Sequence, residues 1–467
     1  MKRQKLTPSE FLYGLCFALC FFAFMLTEAF INERCAVILG SNAVNPVYTF
    51  GLVCTGLGFL SFSLLRRLCK KEKSRKTAQI IIGVLCLGAA LVLLFANQPA
   101  LFLTSSSAAL LLTGHISGCV YYNTAMYFAG SRYTGRLIGM GMGAAILLQF
   151  VVQNLMPQSV AFIISIIFSV AFVMYFIIKA PKDWILENPL PYSSETRKDF
   201  KKALLLIVAV VLMSLVAGMI DSVLTSFNAE KSYDIYGGVR LFYALGLILA
   251  GFLADIRERK YLPLSTVCTI LLSSVCMFFL SDEVSYFAGT ALMYLYSGFY
   301  VIFFTVMFLD FAPKSSRPEL WAGMGRIVRS FTVAATVLPA FNIYGAVGNT
   351  VLAVVSCLLS ILILLVLLPY LSSAAVSPKP TEKLTSESPT LSPQERLNLY
   401  AQHCSLTPRE TEVLEKLLTT EDGVQEIADS LYISRRMVQR YISSIYEKTE
   451  TKTRLGLFQS YMNFTAE

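Results

Sequence analysis

Six polar and basic side chains lie close together near the C-terminal end of the chain. They are Arg435, Arg436, Gln439, Arg440, Ser443 and Lys448. Guanidinium, amide, hydroxyl and ammonium groups are the ones that contact phosphates and base edges in the major groove of DNA. These groups are therefore candidates for a DNA-contacting surface, although by themselves the arginines fit an ordinary solvated helix face better.

The helix that must position these groups has an apolar side of its own. Val438, Ile442 and Ile445 follow the i, i+4, i+7 spacing that places side chains on one face of a helix. Ser434 is a suitable N-cap for a helix over 435–448. The polar groups then lie on the solvent side of this helix.

Two further helices are predicted before it. Thr407, Pro408 and Glu410 give a capping box with a proline at the first helical position. The apolar stripe that follows comprises Val413, Leu414, Leu417 and Leu418. A short helix over 424–431 directs three apolar side chains inward, namely Ile427, Ala428 and Leu431. A tight turn over 432–434 then leads into the basic helix, and this order is typical of a helix-turn-helix.

Three stretches of this segment form a recognisable pattern: TPRETEVL at 407–414, EIADSLYIS at 426–434, and the spacing of apolar residues and lysine from Val438 to Lys448. Together they resemble the LuxR/GerE type of DNA-binding domain, over about residues 404–462. The chain departs from that family where Met437 to Tyr441 replace the usual Thr-Val-Lys-x-His, and where Thr449 replaces a leucine. The resemblance implies that Gln439, Arg440 and Ser443 read bases of double-stranded DNA.

The last predicted helix, over 453–464, favours a second copy of the chain as a partner. Its apolar side chains are Leu455, Phe458, Tyr461 and Met462. Because two-fold operators match two-fold proteins, we expect a homodimer on DNA.

The rest of the chain has a different composition. Of 467 residues 55% are hydrophobic and 15% are charged, and the mean hydropathy is +0.61. A water-soluble protein does not need so much apolar surface, so we expect a polytopic membrane domain in contact with lipid. Twelve spans are predicted, at 11–31, 46–65, 78–96, 101–128, 137–155, 160–178, 203–224, 239–254, 262–280, 286–309, 327–343 and 350–371.

The charges of the loops alternate in a way that predicts the orientation. Twenty-four Lys and Arg residues, from Lys2 to Arg326, fall on one side, against Arg34 and Lys231 on the other. By the positive-inside rule the first side is cytoplasmic. Both termini are then cytoplasmic in the cell membrane of a bacterium. The segment from Cys404 to Glu467 carries eight Lys or Arg against ten Asp or Glu, so its positive charge is local to the basic helix.

Sequence features that recur along the membrane domain indicate two six-helix halves. Gly139-Met140-Gly141 recurs as Gly323-Met324-Gly325, and Glu28 and Asp221 have similar positions in the first and seventh spans. Gly251-x-Leu-Ala-Asp255-x-Arg-x-Arg-Lys260 looks like the loop motif of the major facilitator superfamily. The plan as a whole is similar to that superfamily, which implies that Gly251 allows close helix packing and that Asp255 latches neighbouring helices. Gly135, Gly139 and Gly143 also indicate close helix packing.

Five polar side chains within the spans are candidates for a ligand pocket, because burying such groups in a membrane is costly. They are Glu28, His115, Asn123, Asp221 and Arg240. Two alternatives stay open. Glu28, Asp221 and Arg240 can be solvated near the outer interface, and His115 can be a satisfied hydrogen bonder between helices.

The domain boundaries follow from composition. We expect an all-α chain with the membrane domain at 1–371, a Pro- and Ser-rich linker at 372–391, and a four-helix DNA-binding domain at 392–467. The eleven cysteines show neither a C-x-x-C motif nor a spacing with histidine that suits a metal, and no cofactor or enzymatic activity is expected.

Three functions fit these observations. The first is a membrane-bound transcriptional regulator that senses an unidentified small molecule. The second is a secondary transporter with an appended regulatory domain. The third, a passive anchor for the DNA-binding domain, is disfavoured because one span would suffice.

Overall fold

The structure, a computed structural model, describes residues 8–69, 71–129, 131, 133–179, 197–229, 237–256, 259–276, 283–347, 349–375, 393–420, 422–449, 451 and 453–464. The chain divides into two compact units, residues 1–376 and 377–467, which are considered separately. Most of the predicted linker, residues 376–391, lies outside the described residues. In the described ranges the regular elements are helices, as the all-α prediction requires.

The first unit contains thirteen described α-helices. They are α1 Pro8–Ile38, α2 Val44–Leu68, α3 Glu72–Phe95, α4 Pro99–Tyr127, α5 Thr134–Leu155, α6 Gln158–Lys179, α7 Arg197–Ala229, α8 Arg240–Ala254, α9 Tyr261–Cys276, α10 Glu283–Phe311, α11 Pro318–Trp321, α12 Met324–Val347 and α13 Asn349–Ala375. Ten of them are long and apolar enough to cross a bilayer, whereas α8 and α9 are shorter apolar helices and α11 is a single turn. Each of the twelve predicted spans therefore corresponds to an apolar helix.

The surface of this unit suits a lipid environment. Large aliphatic side chains are exposed on outer helices, for example Ile81 and Val84 on α3 and Leu358 and Leu365 on α13. In water such a surface would be a liability, but hydrocarbon solvates it well, and the helical backbone satisfies its own polar groups.

Glycines bring helices into direct backbone contact at matching places in the two halves. A Cβ on Gly58 of α2 would lie 2.9 Å from the Cα of Gly114 on α4. In the second half, a Cβ on Gly298 of α10 would lie 2.8 Å from the Cα of Gly246 on α8. Larger residues would clash at both crossings, so the packing requires glycine there.

The contact between α5 and α8 joins the two halves. A Cβ on Gly139 would lie 2.7 Å from the Cα of Gly251, and a Cβ on Gly135 would lie 2.8 Å from the carbonyl oxygen of Gly251. A Cβ on Gly143 would lie 2.6 Å from Ile248. The close packing predicted for these glycines is confirmed.

Asp255 at the end of α8 latches this contact. Its side chain is fully buried and accepts hydrogen bonds from the backbone N–H groups of Gly135 and Arg136, both at 2.8 Å. These are N-terminal amides of α5, where a carboxylate is favoured. The guanidinium of Arg259 bridges Asp255 to Asp310 on α10, with 2.7 Å between its Nε and the Oδ2 of Asp310. The predicted role of Asp255 is confirmed, whereas Arg257 lies outside the described residues.

The corresponding loop after α2 is held differently. It has no aspartate before Arg66 and Arg67, and the Nε of Arg67 lies 3.1 Å from the Oε1 of Glu319 on α11. The ion pair is half-exposed, so it links the helices more weakly than the buried Asp255 cluster does.

The second unit contains α14 Pro393–His403, α15 Pro408–Thr419, α16 Val424–Ser430, α17 Arg435–Lys448 and α18 Arg454–Asn463. Its core is small and apolar, with Val413, Leu414, Ile427, Val438 and Ile445 fully buried. These residues are among those that the helical spacing predicted to point inward.

Side-chain caps fix the helix ends of this unit. Thr407 and Glu410 form the predicted capping box, in which the N–H of Thr407 donates to the Oε2 of Glu410 at 2.7 Å. At the start of α18, Arg454 closes the end of α15. Its Nε donates to the carbonyl oxygen of Leu417 at 2.9 Å, and its Nη1 to that of Asp422 at 2.7 Å. A third donor reaches the carbonyl oxygen of Thr420.

Candidate nucleic-acid interface and buried charged cluster

The recognition face is the solvent side of α17. Five of the predicted DNA-contacting residues are exposed there, namely Arg435, Arg436, Gln439, Arg440 and Ser443. Val438 and Ile445 on the opposite side are fully buried, and Ile442 packs against the same core. The prediction of which side of α17 faces the core is confirmed, and the arrangement presents three guanidinium groups and an amide to solvent.

The turn before α17 sets the direction in which this face points. The hydroxyl of Ser434 accepts a hydrogen bond from the backbone N–H of Met437, as predicted for the N-cap. Tyr432 in the turn has φ of +53°, a left-handed conformation that is unfavourable for a residue with a Cβ. Its side chain is almost fully exposed, and the structure offers no packing reason for a tyrosine at this position.

Lys448 has a different role from the other five residues. Its Nζ donates one hydrogen bond to the Oε2 of Glu410 at 2.7 Å and another to the carbonyl oxygen of Ser405 at 3.1 Å. The lysine therefore ties the end of α17 to the start of α15, and its placement with the DNA contacts is not supported by the geometry.

Glu410 is the centre of this tie. It accepts hydrogen bonds from Lys448, from the hydroxyl of Ser444 at 2.6 Å, and from Thr407. Burial by itself would raise the pKa of the Glu410 carboxyl, but these hydrogen bonds outweigh it and lower the pKa to about 2. The carboxylate is therefore ionised throughout the physiological range and holds the two helices together.

The proposed dimer helix α18 turns part of its apolar side inward. The ring of Tyr461 packs edge-on against Tyr400 of α14 with 5.4 Å between centroids, and Phe464 packs on the same ring. Tyr461 is thus a core residue and not a free dimer contact. Phe458 is 43% exposed and remains available, whereas the side chains of Leu455 and Met462 lie outside the described residues.

In the membrane unit, two of the predicted ligand-pocket residues belong to one charged cluster. The Oδ2 of Asp221 accepts hydrogen bonds from the hydroxyl of Tyr48 at 3.0 Å and from the Nη2 of Arg329 at 3.1 Å. Glu28 lies within electrostatic range of both Asp221 and Arg329. Glu28 and Tyr48 also line a small cavity between α1, α2 and α4. Residues of four helices, α1, α2, α7 and α12, thus belong to the cluster around these two carboxylates.

Arg240 is buried at the edge of this cluster. It is 4% exposed, so the alternative of a solvated Arg240 is wrong. Its Nη2 donates to the Oε1 of Gln149 at 3.0 Å, and the amide of Gln149 donates to the carbonyl oxygen of Met25 at 3.2 Å. These bonds connect α8 and α5 to α1.

His115 and Asn123 lie elsewhere in the bundle. The Nδ1 of His115 lies 2.8 Å from the hydroxyl of Ser61 on α2, and its Nε2 lies 3.3 Å from the amide of Gln79 on α3. These contacts support the alternative that His115 is a hydrogen bonder between helices. The amide of Asn123 donates to the sulfur of Cys119 in the same helix. Neither residue lines the cavities described here.

The charge pattern of the sequence assigns Arg326 to a cytoplasmic loop, and this assignment is wrong because Arg326 lies in a helix. It lies in the first turn of α12 and is 6% exposed. Its Nε donates to the hydroxyl of Tyr121 at 3.1 Å, and its guanidinium lies over the rings of Phe21, Phe24 and Phe304. The apolar window begins after Arg326, which is why the sequence places it outside the span. No motif in the sequence marks it as buried.

Metal chemistry has no support in the described residues. Among them, no three His, Cys, Asp or Glu side chains are grouped so that they could hold an ion, and the cysteines there are unpaired.

Comparison with known proteins agrees with the division of the chain into two units. Residues 404–460 match the family described as bacterial regulatory proteins, luxR family. The solved structure of the human organic anion transporter MFSD10 (TETRAN) is similar to the chain with a TM-score of 0.57 and 13% sequence identity, over 78% of this chain and 100% of that one. No curated protein matches the chain.

These matches establish the architecture. The C-terminal unit is a LuxR-type helix-turn-helix domain, and the membrane unit has the fold of the major facilitator superfamily. The chain is thus a multi-pass membrane protein with a DNA-binding domain. Neither family is a family of enzymes.

Proposed function

We propose that the chain is a membrane-bound transcriptional regulator, which senses a small molecule in its membrane unit and controls transcription through its LuxR-type domain. The observation that carries the proposal is the exposed face of α17, where Arg435, Arg436, Gln439, Arg440 and Ser443 are free to contact DNA. Arg440 and Gln439 read base edges, and Arg435 contacts phosphate. Ser443 and Arg436 complete the face.

The orientation of the chain in the membrane is the second part of the proposal. The excess of Lys and Arg in alternate loops supports cytoplasmic termini in a bacterial cell membrane, even though Arg326 no longer counts toward it. The LuxR-type domain then faces the chromosome. Two tethered copies bind a two-fold operator as a weak dimer, with Phe458 in the contact.

Sensing requires that the ligand prefers one of two states of the membrane unit. Glu28, Asp221 and Arg240 belong to the pocket in this proposal, because they meet around one charged cluster from three different helices. His115 and Asn123 support the helix packing around it.

The test of DNA binding uses the isolated residues 392–467, whose core is complete within that unit. Selection from randomised DNA followed by footprinting should yield an inverted repeat, and Arg440→Ala should relax the base preference at one position in each half of that repeat. A matched control is Arg409→Ala, which removes an exposed arginine of α15 that pairs with Glu412. A footprint without two-fold symmetry would contradict the dimer, and the absence of any selected sequence would contradict the function.

A secondary transporter with a regulatory domain is the second candidate. The ion pairs that Asp255 forms with Arg136 and Arg259 favour it, because they lie where α5 and α8 join the two halves of the bundle, and a transporter must change the contact between its halves. The similar human protein is described as an organic anion transporter. The deciding assay is uptake into vesicles of the compound that induces a reporter gene. Gradient-driven accumulation that is lost with Asp221→Asn would establish transport.

A further inference from the structure

The turn between α16 and α17 contains a tyrosine that the fold of the domain does not require. Tyr432 follows the last turn of α16 and has φ of +53°. Its N–H donates to the carbonyl oxygen of Asp429 at 3.3 Å, and the N–H of Ile433 donates to that of Ala428 at 3.0 Å. These two hydrogen bonds form a Schellman motif, in which the residue at positive φ is usually glycine. The backbone at this position is therefore better served by glycine than by tyrosine.

The side chain of Tyr432 does not offset this strain within the domain. Its neighbours Leu431 and Ile433 pack against the apolar core, whereas Tyr432 is 96% exposed. Within the described part of the domain, the side chain of Tyr432 forms no hydrogen bond, ion pair or ring contact. The gain from a tyrosine at this position must therefore come from a contact outside the domain.

Arg259 in the membrane unit combines the same backbone conformation with a side-chain contact. Its φ is +71°, and among the residues that the structure describes only three non-glycine residues have positive φ. The guanidinium of Arg259 bridges Asp255 and Asp310. The strained position is occupied by arginine there because its side chain makes a contact that glycine could not make.

Tyr432 lies at the edge of the recognition face. Arg435 and Arg436, three and four positions later, are exposed at the N-terminal end of α17. In a helix-turn-helix the N-terminal end of the recognition helix enters the major groove, which is bordered by the phosphates of both strands. The residue that precedes this end by three positions is then placed at the border of the groove. A phenol hydroxyl is one of the groups that donate hydrogen bonds to DNA phosphates.

We propose that Tyr432 is a further DNA-binding residue, whose hydroxyl donates a hydrogen bond to a backbone phosphate, an assignment that rests on the DNA-binding function proposed above. The contact positions α17 in the groove and carries no base preference, because every base pair is flanked by the same phosphates. Because the hydroxyl is uncharged, the contact releases no counter-ion, unlike that of an arginine that neutralises a phosphate.

The experiment measures how tightly the full-length chain in detergent micelles binds its selected operator and a panel of operators with single base changes, at several salt concentrations. Tyr432→Phe removes only the hydroxyl and should weaken binding to every member of the panel by the same factor, about fivefold. The slope of affinity against salt concentration should not change. Arg435→Ala should instead lower that slope by about one.

The matched control is Tyr446→Phe, which removes the hydroxyl of a tyrosine that packs against the core on the same helix. It should bind the whole panel like the unaltered chain. A loss of affinity in this control equal to that in Tyr432→Phe would show that the hydroxyl of Tyr432 has no special role, and would overturn the proposal.

Tyr432→Gly separates the DNA contact from the fold. It should raise the urea concentration at which residues 392–467 unfold, because glycine adopts positive φ without strain. It should also weaken DNA binding at least as much as Tyr432→Phe does. A variant that is more stable and yet binds DNA less well has not lost its affinity through misfolding. A lower urea midpoint would mean that the tyrosine serves the fold, and would overturn the proposal.

Three results on DNA binding would also count against the contact. Unchanged binding in Tyr432→Phe would overturn it, and a loss that depends on the base sequence would indicate a base contact instead. If Tyr432→Phe lowered the activity of a reporter gene and left DNA binding unchanged, the tyrosine would contact a protein. Each of these results leaves the proposed function intact, whereas failure of the unaltered chain to select any operator would refute that function itself.

Discussion

The carboxylate of Asp221 on α7 lies 3.1 Å from the Nη2 of Arg329 on α12. The hydroxyl of Tyr48 on α2 donates to the same carboxylate oxygen, so one aspartate connects three helices from both halves of the bundle. Both charged side chains are mostly buried, and a pair in such a place is strongly destabilised when one partner is removed.

We expect Asp221→Asn to destabilise the membrane unit by about 3 kcal/mol, because Arg329 is left without its counter-ion. The double variant Asp221→Asn with Arg329→Gln should be less destabilised than the sum of the two single variants. Thermal unfolding of the full-length chain in micelles measures both. Additive effects would show that the two side chains do not interact.

On the recognition face, Arg440→Ala should weaken binding to the preferred operator by about 1–3 kcal/mol and relax the preference at one base position in each half-site. Arg435→Ala should weaken binding to all DNA sequences by the same factor, as expected when a phosphate contact is lost. Binding to a panel of randomised sites distinguishes the two outcomes. An unchanged panel for Arg440→Ala would mean that another face of the domain contacts DNA.

The stability of the C-terminal unit should depend on acid pH through Glu410. The pKa of its carboxyl is about 2 in the folded chain against an ordinary value of 4.5, so folding favours the ionised form. The stabilisation, on the order of 2–3 kcal/mol, is present above pH 4.5 and is lost as the pH falls from 4.5 toward 2. Urea unfolding of residues 392–467 at several pH values measures it.

Glu410→Gln should remove most of this dependence and lower the stability at neutral pH. The control is Glu412→Gln, which changes a half-exposed carboxyl on the same helix. It should keep the acid dependence of the unaltered unit. A Glu410→Gln variant with the original pH profile would assign the dependence to another group.

Arg454 should be a position where lysine cannot replace arginine. Three carbonyl oxygens, those of Leu417, Thr420 and Asp422, accept hydrogen bonds from one guanidinium, and an ammonium cannot reach all three in the same geometry. We expect Arg454→Lys to lower the free energy of unfolding by about 2 kcal/mol. Arg436→Lys, on the solvent side of α17, should leave it unchanged. Equal unfolding curves for both variants would contradict the role of Arg454.

Local signals made the C-terminal unit predictable. Capping residues and helical spacing act over three to seven positions, so Thr407, Glu410, Ser434 and Val438 could be assigned from neighbours in the sequence. Lys448 could not, because its partner Glu410 is 38 positions away. In the membrane unit, Asp221 and Tyr48 are 173 positions apart, and only the folded chain shows that they meet.

Arg326 shows the limit of hydropathy. A charged residue at the edge of an apolar window is normally a loop residue, and here the helix begins two positions earlier, at Met324. The aromatic surroundings that accept this arginine come from α1 and α10, which no local pattern connects to α12.

The separation of the two sides of α17 has a consequence for how this DNA-binding domain can diverge. Within the described residues, the side chains of Arg436, Gln439 and Arg440 are exposed and form no hydrogen bond or ion pair inside the domain, while Val438, Ile445 and Lys448 hold the helix in place. Single substitutions on the outer side can therefore alter the preferred operator without disturbing folding. Descendants of this gene can therefore acquire other DNA preferences while they inherit the same scaffold.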